Sequence, residues 1–276
     1  MSIAIVTDST ADIPHDLAEA NHIQIMPNII IIDGQEIQDD ASFSRADYYS
    51  RLPEMKTLPT TATASSGSYI HLYETLFQQG YNQIISIHAS SLLSGIYNAA
   101  SAAAQNFQDR VNVVDSGQVT LALGFQVLMA AEAAANGVPK EQILRMLNNV
   151  RPRSRVIAML DTMEYIRRSG RVSWALASIG NLFHIKPFIE LREGKISSLG
   201  EVRTRGKGIE RLVEIFRKLG SVENFAILHS NAEEDANRLK AMLDSELHDQ
   251  PLVVNVTTII GTHVGPNGLG YAVILK

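Results

Sequence analysis

The 276-residue chain contains no cysteine. That excludes disulfides, a thiolate nucleophile, a zinc ribbon and an iron–sulfur cluster. No apolar run approaches the ~20 residues that a membrane-spanning helix needs, so no stable membrane insertion is expected. The first residues, Met1-Ser2-Ile3-Ala4-Ile5-Val6, run straight into Asp8 with no basic flank and no long apolar stretch. They read as a strand rather than a signal peptide, and a cytoplasmic location is the expectation. An excess of positive charge is also missing. The formal net charge is −5 and the isoelectric point is near 5.9, which argues against general nucleic-acid binding. Neither a P-loop nor a G-x-G-x-x-G pattern is present, so a nucleotide of its own is not expected. The eight histidines lack H-x-x-x-H spacing, which leaves no signal for a metal site.

What is present is ordinary globular composition, 45% hydrophobic and 19% charged. The length suits one large domain or two smaller ones. Strand and helix patterns alternate. Ile3–Thr7 reads as a strand, Pro14–Asn21 as a helix, and Gln24–Ile32 as an apolar run that turns at Asp33-Gly34 into a hairpin. Ser44–Leu52 is a helix capped by Ser44, residues 57–66 a loop, and Ser68–Gln79 a helix. Ile84–Ile87 and Val111–Val114 are strands. Val119–Asn136 is a long helix, apolar nearly all round and hence internal, and a further helix covers Lys140–Asn149. Units of this kind predict a mostly parallel sheet with helices on both faces.

The pattern breaks near residue 153. Beyond it the expected elements are a strand at Val156–Leu160, helices at Met163–Arg168 and Trp174–Phe183, and a hairpin of Ile185–Leu191 with Ile196–Thr204. A helix at Gly208–Leu219, a strand at Phe225–His229 and a helix at Glu233–Leu247 come next, with strands at Leu252–Ile260 and Tyr271–Leu275. The expectation is therefore two α/β domains: 1–153 with a mostly parallel sheet, and 154–276 with a mixed sheet and helices.

Three polar loops carry candidate chemistry. One is Thr60-Thr61-Ala62-Thr63-Ala64-Ser65-Ser66-Gly67. The second, Ser90-Ser91-Leu92-Leu93-Ser94-Gly95, follows a buried strand and precedes a helix. Unpaired backbone N–H groups and the helix dipole there suit an anion, although Ser90 and Ser91 can equally serve as caps. The third is Ile260-Gly261-Thr262-His263-Val264-Gly265-Pro266-Asn267-Gly268, read as a loop after a strand. Thr61, Ser94 and His263 all donate hydrogen bonds, as a buried carboxylate requires. The same residue types also allow an acyl hydrolase, with Ser94 and His263 assisted by Asp8 or Asp115, although the nucleophile-elbow glycine before Ser94 is absent. The segment Asp8-Ser9-Thr10-Ala11-Asp12 reads as a strand-end turn that caps the next helix. Positive charge is concentrated at Arg145, Arg151, Arg153 and Arg155, then at Arg167, Arg168 and Arg171. Such a run is a solvated face or a docking surface for an acidic partner.

Several segments, in order, resemble the DegV family of bacterial fatty-acid-binding proteins. They are Ile5-Val6-Thr7-Asp8-Ser9-Thr10-Ala11-Asp12, Ser90-Ser91-Leu92-Leu93-Ser94-Gly95-Ile96-Tyr97, Asp161-Thr162-Met163-Glu164-Tyr165-Ile166, Gly170-Arg171-Val172-Ser173, Ile185-Lys186-Pro187 and Gly261-Thr262-His263-Val264-Gly265-Pro266. The resemblance implies two α/β domains with a fatty acid between them and no other cofactor. It implies that the carboxylate is held by Thr61, by Ser94 with Gly95, and by His263. It also implies that Arg171 and Arg203 serve the head-group network or kinase docking. A long-chain fatty acid such as palmitate, stearate or oleate is then presented to the ATP-binding subunit of a fatty acid kinase, which makes acyl phosphate for phospholipid synthesis. The chain itself would be a lipid-binding protein and not an enzyme. A regulatory protein that senses a lipid would share the same site. Two departures stand out: the loop reads Thr61-Ala62-Thr63-Ala64-Ser65 where the family has T-S-Q-P-S, losing the proline, and Ile96 replaces the threonine of S-G-T. The apolar helices Leu121–Ala135 and Ala175–Phe183 are candidate walls for the acyl tail, although plain core is the better reading for most of their residues.

Overall fold

The computed structural model describes residues 2–171, 185–247 and 250–276. The N-terminal part starts with β1 (Ile3–Asp8), a short 3-10 turn, α1 (His15–Ala20) and β2 (Gln24–Met26). Strands β3 (Ile29–Ile32) and β4 (Gln35–Gln38), helix α2 (Arg45–Arg51), strand β5 (Thr60–Ala62) and helix α3 (Ser66–Gln78) follow. Then come β6 (Gln83–His88), α4 (Ile96–Ala104), β7 (Val111–Asp115), α5 (Thr120–Ala135) and α6 (Lys140–Val150). Beyond lie β8 (Ser154–Met159), α7 (Glu164–Ser169), β9 (Lys186–Arg192), β10 (Lys195–Val202), α8 (Arg205–Arg217), β11 (Val222–His229), α9 (Glu233–Leu243), β12 (Leu252–Asn255), α10 (Thr258–Val264) and β13 (Leu269–Leu275).

The first sheet runs β2-β1-β6-β7, and all its pairings are parallel. Its inner strands are largely apolar, as covering on both faces demands: Ala4, Ile5 and Val6 of β1 and Ile84, Ile85 and Ile87 of β6 are all buried. The second sheet runs β10-β9-β8-β13-β11-β12 and is mixed, antiparallel except for the β11–β12 pair. A small antiparallel sheet, β4-β3-β5, stands beside the first. The α/β class, with a mostly parallel sheet early and a mixed sheet late, is thus as expected.

Helix α5 explains how the two large sheets meet. It touches both β1 and β13, and Leu121, Ala122, Leu123, Val127 and Ala130 are fully buried. One apolar cluster therefore spans both halves, with Ala4 and Ile85 from the first sheet and Ala226 and Ala272 from the second. At Gly124 an added Cβ would lie 2.6 Å from the Ala11 carbonyl oxygen, so only glycine lets this helix approach the turn after β1. Polar ties reinforce the seam: Gly194 N–H donates to the Gly117 carbonyl at 2.7 Å, and Gln118 Nε2 donates to the Ser154 carbonyl at 2.8 Å.

Several elements differ from expectation. The Gln24–Ile32 run is broken at Pro27 into β2 and β3, which join different sheets; proline cannot donate to a ladder. Residues 57–66 are not all loop, because Thr60–Ala62 pairs with Ile29–Ile31 as β5. The strand expected over Leu252–Ile260 ends at Asn255, and Thr257 then caps α10 by accepting the Ile260 N–H at 3.4 Å. The helix expected at Trp174–Phe183 lies outside the described residues. Four arginines of the run are in ion pairs: Arg151 with Asp115 at 3.7 Å, Arg153 with Glu223 at 2.6 Å, Arg155 with Glu190 at 3.3 Å and Arg168 with Glu164 at 3.0 Å.

Candidate functional site

Thr61 sits in β5 opposite Ile30, a β-branched residue in a short strand. His263 stands in the last turn of α10, a helix rather than the expected loop. The helix stops at Gly265, whose φ of 79° and missing side chain let the Tyr165 ring lie where a Cβ would be, 2.3 Å away. Between these two elements Thr61 Oγ1 and His263 Nε2 are 3.0 Å apart. Burial first, and the Arg171 guanidinium second, push the imidazole down from its ordinary value to about 4. His263 is therefore neutral at pH 7.

Ser94 lies in the turn that links β6 to α4. Its N–H donates to the Ser90 carbonyl at 3.1 Å, and its Oγ accepts from Ile96 N–H at 3.4 Å. Gly95, the residue before the first turn of α4, faces the chain just after β5: a Cβ there would be 3.8 Å from Thr63 Cγ2. Ser90 and Ser91 do not cap the helix, which begins only at Ile96. Ser90 Oγ instead accepts from Leu92 N–H at 3.3 Å, and Ser91 Oγ donates to Asp115 Oδ2 at 2.6 Å.

Thr61, Ser94, His263 and Arg171 line a single cavity of about 160 Å³ that opens to solvent. The rest of its wall is largely apolar, with Ile166, Ile189, Leu191, Ile196, Leu228 and Leu269 among the contributors. Both halves of the chain supply it: the ends of β1 and β6 give Thr10 and Ala89, and the second sheet gives most of the aliphatic side chains. Arg203 is exposed and is not part of that lining. Helix α5 contributes only Thr120 with the preceding Val119; its body is core, the better of the two readings of Leu121–Ala135, and not tail wall. Residues 175–183, the other candidate wall, lie outside the described residues.

The carboxylates named for a hydrolase triad are engaged elsewhere. Asp8 is fully buried and accepts from His88 Nδ1 at 2.9 Å, Thr10 N–H at 3.0 Å, Asn28 Nδ2 at 3.2 Å, Ala89 N–H at 3.2 Å and the Thr10 hydroxyl. Asp115 binds Ser91 Oγ and, at 2.8 Å, the Gly117 N–H. Sequence reasoning missed this buried network. His88 Nε2 continues it to Ser86 Oγ at 2.7 Å, which takes a bond from the Tyr73 hydroxyl at 2.9 Å. The only signal was the odd placing of histidine and serine within an otherwise apolar strand, Ser86 and His88. Among the described residues, no cluster of three or more His, Asp or Glu is placed to hold a metal ion, and no helix is long and apolar enough to cross a membrane.

Comparison with known proteins gives a consistent result. The family model described as "Uncharacterised protein, DegV family" matches residues 2–276. A DegV domain-containing protein of Listeria monocytogenes is 31% identical over 280 residues, covering 99% of each chain. Among solved structures, DegV of Bacillus subtilis, described as a fatty acid binding protein, is 32% identical with a TM-score of 0.88. A DegV family protein from Thermus thermophilus, described by its fatty acid binding, is 28% identical with a TM-score of 0.91. Both matches cover 100% of each chain.

Proposed function

The chain belongs to the DegV family, and from that premise we propose that it binds a long-chain fatty acid such as palmitate, stearate or oleate. The observation that carries this reading is the cavity itself, apolar over most of its wall yet furnished with the neutral donors Thr61, Ser94 and His263. A carboxylate only accepts hydrogen bonds, so burying one requires several donors. An apolar wall suits an acyl tail, worth ~0.8 kcal/mol per buried CH₂ and so on the order of 10 kcal/mol for about sixteen carbons before ordering costs.

On this reading the tail lies between an N-terminal domain, 1–153, and a C-terminal domain, 154–276, with the carboxylate at Thr61, Ser94, the Gly95 turn and His263. The bound acid is then presented to a partner ATP-dependent kinase, which forms the acyl phosphate in the cytoplasm for phospholipid synthesis. Arg171, at the cavity, and exposed Arg203 serve the head-group network or kinase docking. A neutral donor set fits presentation, because a carboxylate paired tightly with arginine is a weaker nucleophile.

Native mass spectrometry of the purified protein tests the ligand class, with one long-chain fatty acid per chain expected. Ser94→Ala removes one donor and should weaken binding about tenfold. A protein that carries no fatty acid and takes none up when offered oleate refutes the reading.

A further inference from the structure

We propose that Asp12 and Asp39 are positioning residues of this ligand site: together they clamp the first turn of α10 to the N-terminal half of the chain and so set where His263 stands. The proposal rests on the fatty-acid reading for its functional consequence and on the following geometry for the clamp itself.

Asp12 closes the 3-10 turn after β1 with a left-handed φ of 55°. Its Oδ1 accepts the Thr257 N–H at 2.7 Å and Arg45 Nη1 at 3.2 Å. Arg45 also donates to the Asn255 carbonyl, just ahead of the helix. Asp39 Oδ1 accepts from Thr258 Oγ1, on the first residue of α10, at 2.8 Å. Two tyrosines of α2 complete the grip. The Tyr49 hydroxyl reaches the Val256 and Thr257 carbonyls at 3.0 and 3.1 Å, and the Tyr48 hydroxyl is 2.7 Å from Thr262 Oγ1. At Gly261 a Cβ would fall 2.2 Å from the Tyr49 hydroxyl oxygen, so the helix has no room to slide. Residues 12–49 thus anchor α10 through both side-chain and backbone groups. His263 lies five residues beyond Thr258, about 7–8 Å along the same short, stiff helix.

The clamp is also unsaturated and electrostatically loaded. Asp12 and Asp39 are only 2% and 6% exposed, and the Oδ2 of each has no hydrogen-bond partner. Such atoms are costly in a buried site and call for a reason. The charged and titratable groups facing Asp12 are Arg45 and Tyr49 on α2, Asp39 ahead of α2 and Asp8 on β1, while α10 and its cap offer neutral Thr257 and Thr258. Burial raises the Asp12 carboxyl to about 7; Arg45 opposes that, and Asp39 and Asp8 add to it. Burial raises Asp39 as well, against the Thr258 bond and the Arg45 charge. Protonating Asp12 removes the charge that holds Arg45 and the Thr257 N–H. The clamp therefore loosens as pH falls through the neutral range, well above the range in which His263 itself titrates.

The test measures palmitate affinity of lipid-stripped protein at several values between about pH 6 and pH 8, together with the NMR resonances of the His263 ring in ligand-free protein. For the wild type we expect affinity to fall about tenfold towards the acid end and the ring resonances to move with it. Asp12→Asn should hold the low-pH affinity and the low-pH ring resonances throughout. The fatty acid's own ionisation is common to both proteins and cancels in their ratio. Thr258→Ala, which keeps both charges, should weaken binding and retain the pH step. If Asp12→Asn does not fold, the wild-type ring titration and Thr258→Ala decide. A wild-type pH profile in Asp12→Asn, or His263 resonances that respond neither to pH nor to Thr258→Ala, overturns the proposal. A wild type that takes up no palmitate counts against the fatty-acid reading instead, and the ligand-free resonances still judge the clamp.

Discussion

The fully buried Asp8–His88 pair lies directly beneath the cavity, since the two backbone groups bonded to Asp8, those of Thr10 and Ala89, belong to residues of its wall. His88→Leu removes one partner and leaves the carboxylate without its nearest compensating group. Breaking a buried pair in this way costs about 3–5 kcal/mol. For a protein of this size that corresponds to a Tm lower by roughly 6–20 °C. The pH dependence gives a second, independent reading. In the wild type, burial pushes the Asp8 carboxyl up, but His88, Thr10 and Ala89 together outweigh it and the net shift is downward. A depressed carboxylate contributes stability above its unfolded value, near 3.8, and loses that contribution only as pH falls through the lower folded value. Without His88 the dominant effect is burial, and the sign reverses. The variant's Asp8 then prefers to be protonated, so the gap between variant and wild type should narrow as pH is lowered from 7 towards 5. Urea unfolding at both pH values, with circular dichroism as the probe, measures this. A loss below about 1 kcal/mol at pH 7, or a gap that stays constant with pH, refutes the reasoning.

Three further outcomes are expected. Gly261→Ala places a methyl group against the Tyr49 ring and hydroxyl; overpacking of this kind costs about 1–3 kcal/mol, and displacement of α10 should weaken oleate binding in a fluorescence displacement assay. His263 resists protonation in the fold down to about 4, whereas the unfolded chain's histidine takes up a proton near 6.5. Folding stability should therefore fall as pH drops from about 6.5 to about 4, and His263→Gln should reduce that fall, measured by urea midpoints at pH 7 and pH 5. Finally, turnover of a p-nitrophenyl acyl ester should be no faster than the buffer rate and unchanged by Ser94→Ala; a Ser94-dependent rate would restore the hydrolase.

The sequence was most legible where one physical demand dominates. Strands β1 and β6 are covered on both faces, so their largely apolar runs announce them, and α5 is apolar all round because it is wedged between two sheets. Short elements that depend on partners were not legible. β5 is three residues of threonine and alanine that become a strand only because Ile29–Ile31 lies alongside. The β-branched stretch from Leu252 to Ile260 has strand propensity throughout, and the helix begins there only because Thr257 caps it and Tyr48, Tyr49, Asp12 and Asp39 hold it. For the site, residue chemistry pointed to Thr61, Ser94 and His263 as donors. Their convergence is a tertiary fact, because the Thr61–His263 contact joins positions 202 residues apart. Asp12 was read as part of a local turn, and nothing in a linear pattern ties it to a backbone N–H 245 residues away.

These features share one physical logic. The donors that line the cavity are neutral and mounted on short elements: a three-residue strand, a turn and a seven-residue helix. Such elements have little stability of their own, since isolated short helices and strands do not persist in water. Charge is used behind them instead. Asp8 with His88 lies beneath Thr10 and Ala89, and Asp12 with Asp39 and Arg45 lies beneath the start of α10. Buried charges are poor sources of net stability but strict about geometry, because any movement that strips them of partners is expensive. Placing these carboxylates one layer behind the cavity fixes the donors and leaves Arg171 as a charged side chain beside Thr61, Ser94 and His263.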